Sequence, residues 1–598
     1  MAIVPLAKVT LYGPADQRDL VLEGLQNLGC MHLVNLRNQP ADQTSSADHA
    51  PEAVQALKFL RASPTPRRGA ATDHGFLLDE VVGSALRIER QQQQLHAEAD
   101  ELKLAIAQTT PWGDFQLPAE DEFAGLHLWF YIIPRDRLAA LDQLASPYQI
   151  VNQDPRFAYV VVLSSAEPIG MPVPPTRLDE RPLSVLRRRL EDVEGELEEL
   201  HWQRVRLTRW IPQLNRTIGF VEDRRARQRA VEQAWQDPAL FAIQGWVPQS
   251  QVDQVRAFAR QQVLGMTIEL PSAEDSPPTL LTNWGILAGG EDAVTFYTTP
   301  AYGTWDPSGV VFLSFSVFFA MIMSDAGYAV LLAILLRLFW RRLGQSPSGV
   351  RLRKLFVAIA IASIAYGIAV GSYFGFAPPP SSVLDALHVI DATNRTLMMQ
   401  ISIVVGVAHL TLANLALAWS RRWSPIMLSS VGWVAALVGG LAMGLAKSGL
   451  QPTMSLMEYG SWVIGAGLLG VLFFSSDRPL FTRNLKDQRQ RLVDGVLSLT
   501  GISRAFGDVL SYLRLFALGL ASTQLATTFN DLTFAASGST TVGSLLAVIA
   551  VACGHGLNFV LAIMSGVVHG LRLNCIEFFG WGLSDEGYPF HPFSKKAT

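Results

Sequence analysis

Two arginines interrupt long apolar runs near the C-terminal end, Arg514 in GDVLSYLRLFALGLA and Arg572 in NFVLAIMSGVVHGLRLNCIEFF. A guanidinium stays protonated at any working pH. Holding one at membrane depth costs between about 3 and over 10 kcal/mol, according to how far water and neighbours relax around it. Two such residues in the last two apolar runs point to ion handling. The final run adds a stripe. His555, Asn558, Ser565, His569 and Arg572 follow helical steps, with Ala562 in the gap. They cover about 25 Å of helix, close to the hydrocarbon thickness of a bilayer. Each has a plainer reading alone. Arg572 could snorkel to the interface, and the others could be interhelical hydrogen-bonders. As a stripe beside a second arginine helix they favour an ion pathway. Projection of 502–530 as a helix gathers Gly507, Leu510, Ser511, Ala517, Leu518, Ala521 and Leu525 around Arg514. That face is small and apolar with one cation, suited to sliding against another apolar helix array. Asp508, Tyr512, Ser522 and Thr523 fall on a different face and could hold water.

The elements that must position these residues are membrane spans. Mean hydropathy is +0.22, an average over a polar half before about residue 305 and an apolar half after it. Runs long enough to cross a bilayer lie at 308–340, 355–377, 399–420, 425–446, 459–476, 502–530 and 543–577. Basic clusters sit at Arg337–Lys354, at Arg421 and Arg422, at Arg478, Arg483, Lys486, Arg489 and Arg491, and at Lys595 and Lys596. The alternate connections are poor in Lys and Arg, so the clusters are placed in the cytoplasm. The run 308–340 must then cross an even number of times. It is read as two short spans turning at Ser324-Asp325-Ala326-Gly327, giving eight spans with both termini inside. One long tilted helix burying Asp325 is the alternative, and it inverts every later loop.

The polar half carries two heptad-like seams, Ala85 to Ile106 and Leu183 to Leu207. Between them are strand-like runs at 126–133 and 158–165. The expected fold is multi-domain: cytoplasmic α/β lobes joined by an antiparallel coiled-coil hairpin, then an all-α eight-span membrane domain with two long C-terminal helices. The cytoplasmic domain covers 1–305, with arms near 76–108 and 181–235 and a distal lobe near 110–180. The membrane domain covers 306–598. A second lobe would use Lys8–Tyr12, the helix after it and Phe241–Val247, and 61–75 reads as a flexible loop.

Several functions are disfavoured. A net charge of -4 gives no electrostatic case for nucleic acid. The polar half holds no Walker A sequence, HExxH or GxGxxG, so no nucleotide or catalytic site is expected there, and no metal or cofactor is expected. Three cysteines, widely spaced, suggest a reducing compartment. The start MAIVPLAKVTLYG lacks the pattern of a secretory signal, which places the polar half in the cytoplasm.

At the arginine helices the resemblance becomes specific. GDVLSYLRLFALGLA with Asn530, then GHGLN at 554–558, VVHGLRLNCIEFFG at 567–580 and PFHPF at 589–593, resemble the last two helices and tail of the a-type subunit (subunit I, 116 kDa subunit family) of V-type and archaeal-type rotary ATPases. FFAMIMSDAGYAVLL, YGIAVGSYFGF, IQGWVPQSQV and PAYGTWDPS extend the similarity through most of the chain. The resemblance implies a stationary, non-catalytic subunit facing a rotating ring of c-type proteolipids. It also implies peripheral stalks of E/G type and a multi-pass location in a prokaryotic inner membrane, with a central-stalk docking subunit as a further candidate partner. It assigns ion translocation to Arg514 and Arg572. Asp508, Ser511, Tyr512, Gln524, His555, Asn558, Ser565, His569 and Glu577 are candidates to line half-channels for protons or sodium. Ser522 stands where eukaryotic members carry histidine, and Ala562 where they carry glutamate. Two other classes remain open: an eight-span secondary transporter with a regulatory cytoplasmic domain, and a structural anchor. No inverted repeat favours the first, and the second leaves both arginines unexplained.

Overall fold

The computed structural model describes residues 3–37, 50–67, 76–116, 125–144, 146–272, 274–392, 394–447, 454–478, 485–536, 541–583 and 585–596. Arg483 and residues 68–75 of the expected loop lie outside that set. The chain divides into two compact units.

One unit is built from residues 16–29, 37–235 and 593–598. Its helices are α1 (Arg18–Leu28), α2 (Ala50–Arg61), α3 (Leu78–Thr109), α4 (Leu183–Leu207) and α5 (Ile211–Gln233). The spacing of apolar residues explains how α3 and α4 associate. Ala99 and Leu102 pack with Leu186 and Val193, flanked by Leu95, Ile106, Leu190 and Leu197. The end of α3 meets the start of α4, where Asp114 accepts from the Ser184 amide at 3.0 Å, so the two run antiparallel. Arg189 bonds Glu98 at 2.7 Å across the pair. Between these helices a three-stranded antiparallel sheet places Phe157–Ser164 between His127–Pro134 and Tyr148–Gln153. Strands 127–134 and 157–164 follow the apolar runs of the sequence. Strand 148–153 is exposed on all six residues, so no burial pattern announced it.

The other unit takes residues 1–15, 30–36 and 236–592. In its antiparallel sheet, Leu6–Pro14 lies between Leu240–Pro248 and Gly265–Glu269, and His32–Val34 pairs the far side of 240–248. Lys8 on the central strand sits 2.7 Å from Asp275. With the Ser272 donors it holds that carboxyl down to about 2. Helices α6 (Val252–Gln261) and α7 (Ala288–Thr295) follow.

The apolar helices begin with α8 (Ser308–Met323) and α9 (Ala326–Leu343). The run breaks where an ionisable group and a small-residue turn interrupt it. Ser324 adopts φ 51°, closing α8, and Asp325 caps α9 by accepting from the Tyr328 amide. Next come α10 (Pro347–Val370), the short α11 (Val383–Ala386), α12 (Arg395–Ser420), α13 (Met427–Lys447) and α14 (Met454–Phe474). Pro347 in the first turn of α10 and Gly371 at φ 71° after it are the expected start and stop residues. Phe312 and Leu355 share one cluster at the starts of α8 and α10, while Gly367 lies against Ala326. Helix α9 therefore runs back along α10, antiparallel to α8. Helices α13 and α14 approach closely because glycines face each other at 432/467 and 439/460. The chain ends with α15 (Leu485–Leu499), α16 (Gly501–Ser511), α17 (Leu513–Ala536), α18 (Thr541–Arg572), a π-helical turn Leu573–Phe578 and α19 (Phe579–Gly582). Among the described residues, six stretches are long and apolar enough to cross a membrane, in α10, α12, α13, α14, 485–535 and 543–582, and α8 is a shorter apolar helix. This is a multi-pass membrane protein.

Candidate functional site

Sequence projection treats 502–530 as one helix, but the structure interrupts it at Tyr512. There the hydrogen bonds tighten to three-residue spacing, Tyr512 N–H to Val509 O and Leu515 N–H to Tyr512 O. The cause is packing. Tyr512 is fully buried, and its hydroxyl lies 2.8 Å from His409 Nδ1 on α12. The His409 ring stacks on Phe578 with centroids 4.2 Å apart and planes 7° from parallel. Phe318 meets both the His409 and Tyr512 rings edge-on. Tyr512 thus anchors the break to the core and does not stand on a water-holding face.

The break brings the first turn of α17 to the π-helical turn. Arg514 Nη2 donates to Ser511 Oγ at 3.0 Å, and its Nη1 lies 3.8 Å from Glu577 Oε1. Ser511 Oγ also donates to that Glu577 oxygen. A 32-residue apolar helix (α18) would carry Glu577 onward in plain α winding; the wider turn Leu573–Phe578 instead buries it to 3 % exposure. Arg514 Nη1 and Glu577 Oε2 are buried without a hydrogen bond. The cation is therefore held loosely, with donor capacity to spare. Around it Gly507, Leu510, Ala517 and Ala521 are exposed, and a Cβ on Gly507 would meet nothing within 4 Å. Among the described residues, nothing covers this face. His569, one turn before Arg572 on α18, lies within electrostatic range of both arginines and keeps a buried, unbonded Nδ1. Arg572 is exposed and forms no ion pair among the described residues.

A second polar cluster lies higher on α18. The Asn558 side-chain amide donates to Tyr328 Oη at 3.0 Å and to the Ser522 carbonyl at 2.9 Å. Tyr328 Oη is 2.7 Å from His555 Nδ1, and His555 Nε2 is 3.0 Å from Asn530 Oδ1. Because Asn558 already donates to the Tyr328 oxygen, the Tyr328 proton points at Nδ1, which assigns the proton on His555 to Nε2. Asn530 in turn donates to the Phe374 carbonyl. Asp325, 1 % exposed, accepts from Ser372 Oγ and from the amides of Tyr328, Phe374 and Gly375. His569 lies eleven residues beyond Asn558, so the two clusters are offset by about 16 Å along the helix.

The remaining candidates are placed apart. Asp508 accepts from Trp581 Nε1 at 2.7 Å and lies 3.4 Å from Arg504, tying α16 to α19. Gln524 is exposed and Ser565 half-buried, and neither side chain bonds a described residue. Sequence reasoning passed over Tyr328, Asn530 and His409 as site residues. The available signal was a polar group in an apolar run, and it was applied only to the last two helices.

Comparison with known proteins places these helices in a family context. The V-type ATPase 116 kDa subunit family model matches residues 504–595, which include both arginines. The V-type ATP synthase subunit I of Chlamydia pneumoniae is 24 % identical over 92 % of this chain and 89 % of its own length. Subunit I 1 of Treponema pallidum is 27 % identical over 99 % of this chain and 100 % of its own length. The A-type ATP synthase subunit I of Pyrococcus horikoshii is 25 % identical over 69 % and 63 %. A crystal structure of the cytoplasmic N-terminal domain of subunit I, homolog of subunit a, of V-ATPase matches 44 % of this chain and 99 % of that one, at 17 % identity and a TM-score of 0.24.

Proposed function

Since the chain belongs to the V-type ATPase 116 kDa subunit family, we propose that it is the stationary membrane subunit of a rotary ATPase, carrying ions past Arg514. The observation behind this reading is the loosely held Arg514 guanidinium on an uncovered face of small and apolar residues. That surface suits a proteolipid ring whose carboxylates pass in turn. A carboxylate arriving beside a permanent cation has its pKa lowered and releases its proton. The cation also bars direct passage, so an ion crosses only by riding the ring. The offset of the Arg514–Glu577 cluster from the His555–Asn558 cluster supports two aqueous routes entering from opposite sides. His555, Asn558 and Tyr328 would serve one, and Ser511, His569 and Glu577 the other. Arg572, near the end of the apolar run, would shape the field of the second route.

In this reading eight helices span the membrane, counting α8 and α9, and both termini are cytoplasmic. The packed α3–α4 pair acts as a coiled-coil spacer within a 1–305 domain that docks E/G-type stalks and resists torque. Nucleotide chemistry resides on other subunits. The test is Arg514→Gln in the assembled complex, reconstituted in vesicles. ATP-driven acidification or sodium uptake should vanish while a small proteolipid still co-purifies. Retained transport would remove Arg514 from the mechanism, and a chain that transports solute alone would make it a secondary carrier.

A further inference from the structure

Helices α12, α13, α14 and α16 enclose a cleft of about 520 Å³, within the range of ligand sites. Its wall is apolar, and its polar side chains, Thr396 and Gln400, stand together at one end. Two glycines a turn apart, Gly440 and Gly444, face the cleft, and a Cβ on either would meet nothing within 4 Å. They differ from Gly432 and Gly439 on the same helix, whose added Cβ would strike backbone of α14. Among the described residues, the bare stretch therefore serves no helix contact. It leaves an open trough along α13.

The charges at the mouth identify the occupant. Arg395 precedes Thr396 at the start of α12, and Lys447 ends α13 two residues beyond Leu445 of the wall. Both are exposed, and neither forms an ion pair among the described residues. An apolar slot between membrane helices, with two unneutralised cations at one end, matches a molecule with a long hydrocarbon tail and an anionic head. We propose that this cleft is a binding site for an anionic glycerophospholipid, one acyl chain lying over Gly440 and Gly444 and the phosphate between Arg395 and Lys447. The chain would back Phe506, Val509 and Leu510 of α16, the helix that leads to Ser511. The site does not depend on the proposed rotary role.

Trp433 lines the cleft and provides the readout. The full chain is reconstituted in vesicles containing brominated phosphatidylglycerol or brominated phosphatidylcholine, and the Trp433 signal is obtained by difference against Trp433→Phe. Quenching by the phosphatidylglycerol should reach half its limit at about a thirtyfold lower mole fraction, the scale expected for two surface cations. Arg395→Gln with Lys447→Gln should abolish that preference. Gly444→Leu should reduce Trp433 quenching by both lipids. Equal quenching by the two lipids would mean ordinary bilayer contact and overturn the site, as would no quenching at all. A preference surviving the double charge substitution would refute the headgroup assignment. The double variant alters only exposed side chains, so it decides the matter even if Gly444→Leu fails to fold.

Discussion

Arg514 and Glu577 face each other at 3.8 Å, with the Ser511 hydroxyl bonded to both. The essential cation of the proposed mechanism thus has a counterion inside its own chain. A visiting ring carboxylate displaces a weak partner and does not meet a bare charge.

Glu577→Gln should therefore leave assembly intact but tighten the hold of Arg514 on the ring carboxylate. Turnover of the reconstituted complex should fall about tenfold, the effect of roughly 1.4 kcal/mol of unbalanced pairing. Ser511→Ala should give a smaller loss in the same proton-uptake assay. Unchanged turnover in Glu577→Gln would show that the carboxylate is only packing.

Tyr328→Phe deletes a hydroxyl that serves His555 and Asn558 at once. The buried Asn558 and the half-buried His555 each lose a partner, so thermal unfolding in detergent should register a destabilisation of about 1–3 kcal/mol. His555→Phe should give a comparable loss, and the double variant less than the sum, because the two share one bond.

Gly406→Ala places a Cβ 2.6 Å from the Tyr512 ring. The displaced ring would break the bond to His409 and release the helix break. A cost of about 1–3 kcal/mol is expected, the usual range for overpacking. Transport should fall with it, which would separate a positioning role for Tyr512 from a direct one.

His32 reports on pH outside the membrane. Its Nδ1 accepts the His591 amide at 2.9 Å, and burial, aided by the neighbouring His591 charge, lowers its pKa from 6.5. As pH falls below that value the unfolded chain takes up the proton first. The stability gained from neutral His32 is full above pH 6.5 and is lost as pH drops toward the folded pKa. His32→Gln should flatten the change in melting temperature between pH 7.5 and 5.5; an unchanged slope would assign it to another group.

The apolar helices were legible because a bilayer demands long uninterrupted runs, and the charge of Asp325 with the neighbouring Gly327 marked the α8–α9 break. The seam of α3 and α4 was legible from spacing. The break at Tyr512 was not, because its cause is a histidine on another helix, His409, and no local residue announces it. The cluster of Tyr328, His555 and Asn530 was half visible. These three lie on three helices, and of the whole cluster only His555 and Asn558 shared the stripe on α18. Strand 148–153 went unseen because an exposed strand has no pattern to read.

The wide turn Leu573–Phe578 carries a last consequence. Each residue of a helix advances the side-chain bearing by about 100°, so the surplus winding there sets where the Glu577 carboxylate aims. Deleting one residue would restore ordinary coiling and swing that carboxylate away from its guanidinium, with Trp581 and its hold on Asp508 carried off in the same rotation. Along this stretch the number of links in the chain matters as much as their identity. A change in that count disarms the site even with every side chain kept.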